Sequence, residues 1–147
     1  MNILFISVTD ETFINRIQNF TKETPSSRSC GHFARIIESV ILTTKGGFLD
    51  KLNDFQTFLI KNITDMAFKD LFILLSTEFS ESFHFSTELL IHLVQSINDD
   101  NCMFIASTIR EIIENDENSK EYFDSEELID RIFINAIEMS RIHPLFA

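Results

Sequence analysis

Glycine and proline are almost missing: 147 residues hold 3 of the first and 2 of the second, together with 2 cysteines and no tryptophan. A glycine-rich phosphate loop is therefore excluded, because the one adjacent pair, Gly46 and Gly47, closes a helical stripe and follows no strand. Disorder is disfavoured by the 16 Phe and the dense set of Ile and Leu. Cys30 and Cys102 lie 72 positions apart in a chain where no secretory signal is read, so both are expected as buried free thiols in place of a disulfide. No apolar run reaches the roughly 18 residues that a membrane span needs. The run over 3–6 is too short, and too poor in basic residues before it, for a signal peptide, so the expected location is cytoplasmic. The sequons at Asn19 and Asn62 then carry no meaning.

Positive charge is also scarce, and unevenly so. The chain has 12 Lys and Arg against 23 Asp and Glu, a net charge of -11. Residues 1–73 carry 8 acids and 8 bases, whereas 74–147 carry 15 acids and 4 bases. Nucleic acid and anionic membranes are poor partners for such a surface, since both need Lys and Arg. A cationic partner, or simple solubility, is compatible with it.

What is present is apolar and helical in its spacing. Hydrophobic residues make up 44% of the chain and 16 of them are Phe, enough for one folded domain spanning 1–147 with residues 1–9 irregular or extended. Thr9 and Asp10 offer an N-cap to a stripe of Phe13, Ile14, Ile17 and Phe20 that ends near Thr24 and Pro25. Residues 25–29 read as a loop, followed by Phe33, Ile36, Ile37, Val40 and Ile41. Asn53 with Gln56 resembles a capping box for a helix through Phe58, Leu59 and Ile63, with a break at 62–65. Residues 66–75 are apolar almost all round, as in a helix covered on most sides, and Leu71 is expected to be enclosed. Further stripes are Leu89, Leu90, Leu93, Val94 and Ile97, closed by polar 98–101, and then Ile105, Ile109, Ile112 and Ile113. Asp124 with Glu127 is expected to cap a last helix carrying Leu128, Ile129, Ile132, Phe133 and Ile137. The reading is all-α, about seven helices in an armadillo/HEAT-like stack, and ETFINRI at 11–17 is echoed by EELIDRI at 126–132, a spacing that three repeats of about 38 residues would span.

Constellations for chemistry are thin. His32, His84, His92 and His143 lack helical ligand spacing, and Cys30 with His32 forms a lone C-x-H without a second ligand pair. Residues 116–127 place Asp116, Asn118, Asp124 and Glu127 at calcium-loop positions, yet Lys120 stands where a ligand oxygen belongs and Glu121 where the turn needs glycine. No catalytic residue, cofactor or metal site is expected. The Phe excess is read as core in preference to an exposed docking surface.

Residues 54–77 resemble the central signature of the SAPS domain family, through Asp54, Phe55, Leu59, Lys61, Ile63, Ala67, Asp70, Leu71, Leu74, Leu75 and Thr77. GHFARIIESVILTTK at 31–45, the helix with Thr108, Ile109, Ile112 and Ile113, and SEELIDRIFINAI at 125–137 are similar to family helices in the same order. The likeness runs from about residue 10 to 137 and covers one part of a longer family domain; the family's His-Ile-Gly-Thr turn reads Asn62, Ile63, Thr64, Asp65 here. The family supplies regulatory subunits of the type 6 Ser/Thr protein phosphatase. The resemblance thus implies an α-helical repeat that binds a type 6-like catalytic subunit without catalysis. The alternative is a free-standing helical domain that lacks phosphatase binding and self-associates.

Overall fold

The structure is a computed structural model that describes residues 11–115 and 121–142. The extended segment and the Thr9/Asp10 cap expected before residue 11 lie outside these, as do His143 and the calcium-like positions 116, 118 and 120. Among the described residues there are seven α-helices and no strand: α1 (Glu11–Phe20), α2 (Ser27–Thr44), α3 (Phe55–Lys61), α4 (Met66–Glu78), α5 (Thr87–Gln95), α6 (Cys102–Asn115) and α7 (Glu126–Ile142). Gly47–Lys51 forms a 3-10 turn between α2 and α3. No helix among the described residues is long and apolar enough to cross a membrane. The chain forms two compact units, Met1–His84 and Phe85–Ala147.

The first unit is built around rings. Phe33 of α2 stacks on Phe20 at 4.1 Å and meets Phe58 and Phe68 edge-on at 5.9 and 6.0 Å. Phe58 and Phe68 are themselves 5.1 Å apart. Edge and offset contacts of this kind satisfy the ring quadrupoles, adding to the burial of apolar area. Phe33, Phe48, Phe55, Phe58, Phe68, Phe72, Phe83 and Phe85 are all buried, as the core reading of the Phe excess expects. α2 packs on α4, and α3 lies against α4.

Three boundaries differ from the spacing argument. α2 starts at Ser27, inside the stretch read as loop, because Ser26 is its N-cap and accepts a hydrogen bond from the Ser29 amide. The capping box at Asn53 and Gln56 does not form. Asp54 holds the N-cap position in a left-handed conformation (φ 55°) with no side-chain cap bond. Gln56 Nε2 donates instead to the carbonyl of Phe83, and Asn53 exchanges two backbone bonds with the Gln18 carboxamide, its amide donating to Oε1 at 2.9 Å and its carbonyl accepting from Nε2 at 3.0 Å. Finally, Ser125 and not Asp124 caps α7, accepting from the Leu128 amide at 3.4 Å.

The end of α2 fits its composition. Lys45 and Gly46 both take left-handed conformations, and the Gly46 amide donates to the Ile41 carbonyl at 2.9 Å, which closes the helix. Gly46 is required twice over, since a Cβ there would stand 2.7 Å from Ser82 Oγ and 2.9 Å from Ser82 Cβ. In the second unit α5 packs on α7. The polar stretch 98–101 is a built turn: Asn98 Oδ1 accepts from the amides of Asp100 and Asn101, while Asn101 Oδ1 accepts from the Asn98 amide.

Candidate binding surfaces

Cys30 sits on the buried side of α2, close enough to Asp65 to feel its carboxylate. Asp65 is in turn the N-cap of α4, accepting from the Ala67 amide at 3.0 Å. Burial first, and then the charge and hydrogen bond of Asp65, push the thiol up from 9.0 to about 11. It is a neutral packing group, not a nucleophile. Cys102 is half-buried, not a core residue as expected. His32 is exposed on α2 while Cys30 is buried, so the C-x-H pair does not converge. Among the described residues no three His, Cys, Asp or Glu side chains gather as a metal site would need. At the calcium-like stretch, the Asp124 amide donates to the Glu121 carbonyl at 3.4 Å and Glu127 lies in the first turn of α7.

Among the described residues of the first unit are two concavities. A cleft of about 230 Å³ is lined by Leu49, Leu52, Gln56, Ser82, Phe83 and His84. His84 takes a left-handed φ of 56° there, and its Nε2 lies 3.9 Å from Asp50 Oδ1 with both side chains exposed. Serine, histidine and aspartate are thus close in the fold. Yet no hydrogen bond joins Ser82 to His84 among the described residues, so the nucleophile and base of an acyl-transfer site are not coupled. The second concavity, about 340 Å³, runs between α2 and α4. Gly31 and Ala34 face Ala67 and Leu74 across it, with Arg35 and Asp70 at the rim. A Cβ added at Gly31 would meet nothing within 4 Å, so small residues leave this groove open.

The second unit presents a different surface. On α7, Leu128 is fully buried, but Ile129, Ile132 and Phe133 are 44, 40 and 65% exposed. At about 100° per residue these three occupy one sector of roughly 100° that continues from the buried seam at Leu128. Glu126 and Asp130 border the sector on its far side, and both are exposed. Scattered single apolar groups on a surface are ordinary, whereas here three large ones share one sector, and Ile134 outside it is 47% exposed. The spacing of the sequence identified these residues as sharing a face with Leu128 but gave no sign that they lack cover.

No family model, no curated protein and no solved structure matches this chain.

Proposed function

We propose that this chain is a non-catalytic protein-binding module of the cytoplasm, a SAPS-like regulatory or scaffold subunit whose partner is a type 6-like Ser/Thr phosphatase catalytic subunit. The observation that carries the binding role is the exposed sector of Ile129, Ile132 and Phe133 on α7. Water contact with three such side chains is a standing cost that a partner would relieve. The SAPS-like residues support the second half. Leu59, Ile63, Leu71 and Leu75 are buried, and Ala67, Asp70 and Leu74 line the groove between α2 and α4, so the resembling segment combines core with an accessible surface. An armadillo/HEAT-like stack is the arrangement proposed for the helices. Its support is a pattern that occurs twice: α2 packs on α4 and α5 packs on α7, each helix against the next but one.

The test is isothermal calorimetry of the full chain with the phosphatase catalytic subunit of the same organism, at low and at high salt. Saturable heat is the expected result. Absence of heat and of co-elution at both salts, with both proteins folded, removes the phosphatase reading. The free-standing alternative draws on the same apolar sector, which would then be covered by self-association. Sedimentation equilibrium showing a dimer in the absence of any partner would favour it.

A further inference from the structure

The echo between α1 and α7 gives the exposed sector a physical meaning. Both ETFINRI and EELIDRI begin on the first residue of a helix, Glu11 and Glu126. Superposing the two pairs Phe13 with Leu128, Ile14 with Ile129, and Ile17 with Ile132. In α1 this face is covered: Ile17 is buried, Ile14 and Phe13 are half-buried, and Phe13 meets Phe48 at 6.0 Å while the neighbouring Phe20 stacks on Phe33 of α2. In α7 the corresponding Ile129 and Ile132 stand open. Among the described residues the same local sequence therefore builds a helix-packing face twice and finds its cover once.

Charge narrows what can cover the second. Glu126 and Asp130, both exposed, edge the sector, while Arg131 lies on the opposite side of α7. A second copy of this chain, also at -11, would bring acids against acids. An apolar helix edged with Lys or Arg meets both demands at once.

Resting on the protein-binding reading above, we infer that the Ile129, Ile132 and Phe133 face of α7 seats one amphipathic α-helix of another protein, apolar on the buried side and basic along its edge. The partner helix takes the place that α2 and the 3-10 turn hold over α1, and Phe133, the most exposed of the three, is its anchor.

Two fluorescein-labelled peptides of about 18 residues test this, sharing one leucine face and differing only in a Lys or Glu polar face. Anisotropy is measured on the full chain at about 50 and about 500 mM salt. The Lys peptide is expected to bind, with affinity falling at least about tenfold at high salt, and the Glu peptide is not. Phe133→Asp is expected to abolish binding although it adds negative charge, which separates docking from bulk attraction of a cation. Phe133→Ser and Met103→Asp, the latter at an exposed position of α6, are both checked by circular dichroism and complete the set; the first is expected to weaken binding about tenfold or more and the second to leave it unchanged. Equal binding of both peptides, or binding that survives Phe133→Asp, overturns the inference. So does a dimer that Phe133→Ser dissociates. Failure of both peptides with saturable heat from the phosphatase subunit overturns this helix-seat inference alone and leaves the proposed function standing.

Discussion

Leu71 and Phe72 are neighbours on α4 and meet different surroundings. Phe72 is fully enclosed and its ring is 5.5 Å from Phe83 in an edge-on contact, whereas Leu71 is 3% exposed with one edge on the groove toward α2. Truncating Leu71 lets water or a neighbour reach part of the space, while truncating Phe72 leaves a closed void. Leu71→Ala is expected to cost about 2–3 kcal/mol and Phe72→Ala about 3–5, read from urea midpoints with unchanged slopes. The thiol of Cys30 is a second residue-level case. Its proton is held more tightly in the folded chain, to about 11, than at the ordinary 9.0. The stabilisation is intact below pH 9 and is lost as the pH climbs through 11, because the unfolded chain releases the proton first. Cys30→Ala is expected to flatten the fall in stability across that window by about 2 kcal/mol, measured by denaturation at stepped pH.

At the scale of elements, the turn after α2 gives the sharpest contrast. Gly46 has a φ of 88° and no room for a Cβ beside Ser82, while a Cβ on the adjacent Gly47 meets nothing within 4 Å. Gly46→Ala is expected to destabilise by about 1–3 kcal/mol and Gly47→Ala to be neutral or stabilising by up to about 1 kcal/mol, compared by thermal melts. The helices were legible in the sequence because a 3.6-residue period of apolar groups is a local property; α4 and α5 fall where their stripes are. What escaped was decided at long range. The carboxamide of Gln56 has its partner 27 residues away, so a cap inferred from three-residue spacing had no force against it. The opening of α2 was hidden because serine suits both loops and caps, and Ser26 caps. The apolar face of α7 was half legible: periodicity says which residues share a side of α7, and only the folded chain says which of them are exposed.

For the whole molecule, charge is a property that the sequence gives directly, a net -11. Arg110 with Glu114 and His84 with Asp50 are separated by 3.9 Å and are exposed, so both contribute little. At a net charge of -11 the acids also repel one another. Raising sodium chloride to about 0.5 M is expected to increase the melting temperature by roughly 2–5 °C, and a decrease would mean that attractive pairs outweigh repulsion.

The ring contact between Phe85 and Tyr122, 4.9 Å between centroids, sets the optical behaviour of the chain. With no tryptophan and a single tyrosine, emission excited near 280 nm comes from Tyr122 alone. That residue belongs to the unit Phe85–Ala147, while most of the buried Phe rings belong to the other. Tyrosine fluorescence thus reports on one half of the molecule and the helical circular dichroism on both. A denaturation followed by the two signals together is a measure of cooperativity: coincident curves mean that the two units unfold as one, and a fluorescence midpoint displaced from the dichroism midpoint gives the stability of the acidic unit by itself.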